Sequence, residues 1–180
     1  MSRESARIRD QVEDLLRAGD VTAPPVPVER LARQVGAHVR LEPFEGQLSG
    51  LLFRQEGRTV IGVNALHART RQRFTIAHEL GHLLLHDPEE MHVDRDYRVY
   101  LRDARASTAT DPVEMASNAF AAELLMPAKF LAKDLRDRAV DIEDDEQLRR
   151  LADRYKVSLQ AMIFRLANLG YIHLDSEASS

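Results

Sequence analysis

The sequence predicts an α+β fold, predominantly helical, with a small β-sheet or hairpin placed just ahead of a long helix. Three observations point there. Apolar residues recur at helical spacing near both ends of the chain, as at Ile8, Val12, Leu15 and Leu16 and again at Leu148, Leu151 and Ala152. Runs that are apolar and β-branched are confined to residues 38–64. Beyond Asn64 helix formers dominate, and Gly and Pro fall where helices would end.

Taken in order, residues 3–18 form a first helix that Gly19 stops. Thr22-Ala-Pro-Pro-Val-Pro is a stiff, extended connector, because proline fixes φ and donates no backbone N–H. Val28, Leu31, Ala32 and Val35 mark a second, short helix ended by Gly36. His38 to Leu41 is a strand. Residues 48–54 and 58–64 form a β-hairpin, since Gln55-Glu-Gly-Arg supplies the glycine that a short loop wants. Residues 70–85 are the first long helix of the second half. Residues 87–110 mix Pro88, His92, Tyr97 and Tyr100 with many Asp and Arg residues, and are expected to be a long loop with some local structure. Asp111-Pro-Val-Glu114 opens the next helix: Asp caps, Pro suits the first turn, and Glu sits at the third position as in a capping box. That helix runs toward Met126, where Pro127 intervenes. Helices over residues 129–138, 143–155 and 158–169 follow, with Gly170 as terminator. The organisation expected is an N-terminal helix and Pro-rich connector over residues 1–24, a core over 25–140, a helical tail packed on that core over 141–175, and a frayed end over 176–180.

At 180 residues the chain has the length of one ordinary domain and can build a single core without staples. Zero cysteines exclude a disulfide framework, Cys-ligated zinc and a thiol nucleophile, so metal chemistry falls to His, Asp and Glu. A formal charge of −4 argues against a protein that grips phosphates over its whole surface. No apolar run approaches the roughly 18 residues of a membrane span, and none follows the charged start, so a cytoplasmic location is expected.

The decisive string is Phe74-Thr-Ile-Ala-His78-Glu79-Leu-Gly-His82-Leu-Leu-Leu-His86. Residues four apart on an α-helix are rotated by only about 40° and separated by about 6 Å, so His78 and His82 can aim at one metal ion. Glu79 lies beside them on the same side. Two imidazoles can then hold Zn²⁺ while the adjacent carboxylate takes a proton from water whose pKa the metal lowers toward about 7. The surrounding Ile76, Ala77, Leu80, Leu83 and Leu84 make an apolar helix that has no other use for two histidines and a glutamate.

A catalytic zinc site needs a third protein ligand. His86 lies about 12 Å from His78 along a continuous helix and suits a helix end instead. The metzincin spacing also fails, because its glycine and third histidine positions hold Leu85 and Pro88. Glu114 and Glu123 remain, about 180° apart on the next helix, so only one can face the site. Glu114 is also the capping-box glutamate of its own helix. What favours it as the ligand is Asn118 one turn on, which can accept a hydrogen bond from a ligand histidine and fix its tautomer.

These two blocks, Arg73 to His86 and Glu114-xx-Ala116-x-Asn118-x-Phe120-Ala-Ala-Glu-Leu-Leu-Met-Pro127, closely resemble the ImmA/IrrE family of zinc metallopeptidases. The likeness extends more loosely over residues 25–172. It implies a gluzincin-like catalytic core, with His78, His82 and Glu114 as zinc ligands and Glu79 as general base. Related enzymes often carry aspartate where Asn118 stands; the amide oxygen can still accept the bond, but without the charge. The resemblance also implies a protein substrate, a helix-turn-helix repressor whose cleavage derepresses mobile-element or stress genes.

For the substrate track, the hairpin ahead of the metal helix offers a strand edge for an extended peptide, and Val60, Ile61, Gly62 and Val63 are nominated for it. His92, Tyr97 and Tyr100 are candidate donors to the reaction's oxyanion, with no spacing rule to select among them. The tail suggests a rival function. Two short helices about Val157-Ser158, with Arg149, Arg150, Arg154, Lys156 and Arg165, resemble a DNA-reading helix-turn-helix. Its second helix offers only Gln160, Arg165 and Asn168 as long polar readers, so direct DNA binding is not expected. A non-catalytic metal-binding adaptor is a third possibility.

Overall fold

The computed structural model describes residues 3–46, 48–55, 58–86, 92–94, 111–137, 141 and 143–172. In chain order the elements are α1 (Arg3–Ala18), α2 (Val28–Gln34), β1 (Ala37–Glu42), β2 (Gly50–Gln55), β3 (Arg58–Asn64), α3 (Arg69–His86), β4 (His92–Asp94), α4 (Pro112–Leu125), α5 (Ala128–Asp137), α6 (Asp145–Tyr155) and α7 (Leu159–Asn168). The fold is α+β and predominantly helical, as the sequence predicts.

The strands form one sheet in the order β1-β3-β2-β4. β2 and β3 are the antiparallel hairpin, in register from Gly50↔Val63 to Gln55↔Arg58. β1 lies parallel to β3, from Ala37↔Thr59 to Glu42↔Asn64. Asn64 Nδ2 donates to the carbonyls of Phe44 (3.2 Å) and Leu48 (2.9 Å), which pins the β1–β2 connection across the end of β3. This arrangement corrects the expected substrate edge. Val60, Ile61, Gly62 and Val63 sit on the central strand, with β1 bonded on one side and β2 on the other, so they have no open edge to offer. The outer position belongs instead to β4, antiparallel to β2 with Gly50 opposite Asp94. β4 falls inside the segment expected to be largely loop. Three residues are too few for alternation to show, and their pairing depends on β2 rather than on their own propensity.

α3 is buried along residues 72–82 on every face, because it lies between the sheet and α4. α1 turns Ile8, Val12, Leu15 and Leu16 inward and packs on α4. The tail helices belong to the same core: Leu148, Leu151, Tyr155, Met162 and Leu166 are all buried in it. Asp144 caps α6 by accepting from the N–H groups of Glu146 and Gln147, and Ser158 caps α7 through Ala161 N–H. Buried Arg73 ties two distant segments to α3, donating to Val26 O (2.8 Å) in the Pro-rich connector and to Lys156 O (3.3 Å) in the α6–α7 turn. Among the described residues, no helix is long and apolar enough to cross a membrane.

Candidate metal centre

α3 supplies His78, Glu79 and His82, and α4 supplies Glu114 and Asn118. The two helices come close because Gly81 has no side chain. A Cβ there would stand 3.0 Å from both Cα and O of Ser117, on α4. Gly81→Ala should therefore push α4 outward by a few tenths of an ångström, costing about 1–3 kcal/mol as overpacking does, and loosen Glu114 from the histidines. Thermal unfolding and metal content of the variant check this; parental values for both would mean that α4 yields without consequence.

His78, His82 and Glu114 converge on one point and could hold a metal ion. His78 Nε2 and His82 Nε2 are 3.0 Å apart. Glu114 Oε2 lies 3.4 Å from His78 Nε2, and its Oε1 lies 3.2 Å from His82 Nε2. Nitrogen and oxygen ligands held tetrahedrally at about 2.0–2.1 Å lie about 3.3–3.4 Å from one another, and the spacings here, 3.0 Å between the nitrogens and 3.2 and 3.4 Å from them to the two oxygens of Glu114, are close to that. The chemistry of the cluster agrees. The amide Oδ1 of Asn118 lies 3.0 Å from His78 Nδ1, so it accepts a bond from an Nδ1–H and leaves the Nε2 lone pair aimed at the cluster. Two imidazole nitrogens and a carboxylate facing one point suit a divalent cation.

Both histidines are buried, while Glu114 keeps 19% of its side chain exposed. Burial of Glu114 favours its neutral form. Hydrogen bonding and electrostatic attraction to the facing His78 and His82 rings outweigh that effect and hold the carboxyl well below the usual carboxylate range. The capping alternative for Glu114 gives way here: Asp111 caps α4 by accepting from Val113 N–H at 2.9 Å, and Glu114 turns to the histidines.

Glu79 is fully buried next to His78. It faces β2, where a Cβ on Gly50 would stand 3.3 Å from Glu79 Oε1 and 2.3 Å from Thr75 Cγ2. Only a glycine lets the strand backbone lie so close to this carboxylate.

Glu123 is buried on the other side of α4, where it pairs with Arg165 of α7 and accepts from Ala128 N–H at 3.1 Å. Of the two ligand candidates on α4, it is therefore the one turned away from the site, into a salt bridge. Arg165 also donates to Met126 O at 3.1 Å, so it is a packing residue of the tail and not a free reader of DNA. His86 ends α3 exposed and stays outside the cluster; the nearby Leu85 carbonyl accepts from Arg7 Nη2 at 3.1 Å. Tyr97 and Tyr100 lie outside the described residues, and His92 is described only as the first residue of β4. The parts that sequence reasoning missed are Gly50, Gly81 and the Glu123–Arg165 pair. The only signal for Gly81 was a helix-breaking residue kept between two ligands.

A solved structure of a Mycobacterium tuberculosis transcriptional regulator is similar to this chain, with a TM-score of 0.56 at 16% sequence identity. The similarity covers 92% of this chain and 52% of that one, so the chain spans about half that protein's length. Comparison with curated proteins returns no match. The family model described as the IrrE N-terminal-like domain, Peptidase_M78, matches residues 32–167, a span that contains every residue of the metal cluster. On that match the chain belongs to the metallopeptidase-type Peptidase_M78 family of IrrE N-terminal-like domains.

Proposed function

We propose that the protein is a zinc-dependent endopeptidase, with His78, His82 and Glu114 as the ligands and Glu79 as general base. The observation that carries this is the convergence of His78, His82 and Glu114 at spacings close to those of tetrahedral ligands, with the buried carboxylate of Glu79 next to His78 in sequence. Zn²⁺ held there would supply Lewis acidity, bringing the pKa of water toward about 7. Glu79 accepts the proton of the attacking water on its carboxylate and delivers it to the departing amine nitrogen. Asn118 Oδ1 holds His78 in the tautomer that presents Nε2.

The substrate is an extended peptide added to the outer edge of β4, whose partner strand β2 carries Gly50 against Glu79. On the resemblance to the ImmA/IrrE family, the substrate protein is a helix-turn-helix repressor in the cytoplasm, cut to release stress or mobile-element genes. Incubation with a candidate helix-turn-helix repressor should yield one specific fragment pair, lost on chelation and restored by zinc. Cleavage that is indifferent to chelation would sink the reading.

DNA binding through α6 and α7 is the second reading. Lys156, in left-handed conformation at φ 55°, makes the tight turn that a helix-turn-helix needs. With Arg165 tied to Glu123, the exposed polar readers of α7 reduce to Gln160 and Asn168. Gel-shift titration should therefore show only weak, steeply salt-dependent association. A sequence-specific complex that survives physiological salt would promote this reading instead.

A further inference from the structure

We infer that the outer edge of β1 is a self-association surface, on which a second copy of this chain adds its own β1 antiparallel about a two-fold axis at Leu41. Among the described residues β1 is an end strand of the sheet, opposite the β4 edge. Ala65 N–H bonds to Glu42 O at 2.9 Å, so Glu42 turns its main-chain groups toward β3. In a parallel ladder successive residues alternate, and Leu41 and Val39 therefore turn theirs outward. Leu41 is also 48% exposed, and Leu66, one residue past the Ala65 bond, is 73% exposed. An unpaired strand end with exposed apolar side chains is a template for another strand.

The charges select the occupant. Arg40 and Glu42 flank Leu41, both are exposed, and among the described residues neither is held in an ion pair. Antiparallel pairing about Leu41 sets Leu41 opposite its own copy and places Arg40 of each chain opposite Glu42 of the other. Residues directly opposite share a face, so both charge pairs are complementary at once. A shift of the axis to Val39 would set His38 against Arg40 and lose that match. Pro43, which has no N–H to give, ends the ladder beyond Leu41 and keeps the interface short. A two-fold contact closes on itself, leaving the β4 edges on the far sides of the pair.

The test is sedimentation equilibrium on the full chain across a concentration series, with fold monitored by circular dichroism. The parent's mass should rise from the 20.4 kDa of one chain toward twice that value. Arg40→Glu, which sets Glu against Glu twice, should weaken association by about tenfold or more. Adding Glu42→Arg to that variant exchanges the two charges and should restore parental association. A parent that stays monomeric at every concentration, or a dimer indifferent to Arg40→Glu, would overturn the proposal. So would a double variant no better than the single one. Peptidase activity plays no part in the readout, so the outcome is separate from the fate of the proposed function.

Discussion

Glu79→Gln is expected to keep the metal and lower peptide hydrolysis by about 10²–10⁴-fold, the range that a positioned general acid or base contributes. The amide has the carboxylate's shape, so it fills the same buried space between α3 and Gly50 and leaves the packing alone. What it cannot do is take a proton from water at neutral pH. Metal per chain should therefore match the parent while turnover collapses. That split distinguishes a lost base from a lost ligand. Cleavage by the variant at the parental rate would assign the base elsewhere.

The second large effect contrasts two glutamates nine positions apart on α4. Glu114→Gln removes the charged member of the ligand triangle, and a neutral amide oxygen is a far poorer partner for zinc, so the metal should be lost on mild chelation and activity with it. Glu123→Gln should retain the metal, because Glu123 points away to Arg165. It should instead lose stability by about 3–5 kcal/mol, the usual consequence of stranding one partner of a buried ion pair. Metal analysis and urea unfolding of both variants read these outcomes directly. Zinc lost from the Glu123 variant and retained by the Glu114 variant would exchange their roles.

Much of this centre was legible because its geometry is local. His78 and His82 are one turn apart on a single helix, and Glu114 and Asn118 are one turn apart on another, so helical spacing alone places each pair. The helix boundaries were legible for a similar reason: Asp111 and Ser158 are capping residues whose effect reaches only two or three positions. Long-range pairing was not. Whether Val60 to Val63 lie at an edge depends on whether β1 crosses over to the far side of β3, and nothing within residues 58–64 records that choice. β4 was hidden likewise, since three residues acquire strand character only from the β2 they pair with. The buried pairing of Glu123 with Arg165, forty-two positions apart, was invisible to any periodic rule.

The bonds of Arg73 bear on where the smallest self-sufficient unit begins and ends. The family match starts at residue 32, but one acceptor of this buried guanidinium is the carbonyl of Val26, ahead of that boundary. α1, further upstream still, contributes four apolar side chains to the core and an arginine to the end of the metal helix. A chain trimmed to residues 32–167 would take one acceptor from a desolvated cation and lay bare the apolar flank of α4. The core thus runs from α1 through α7 and reaches upstream of the segment that the family model matches, so a chain begun at residue 32 is expected to be less stable than the whole span.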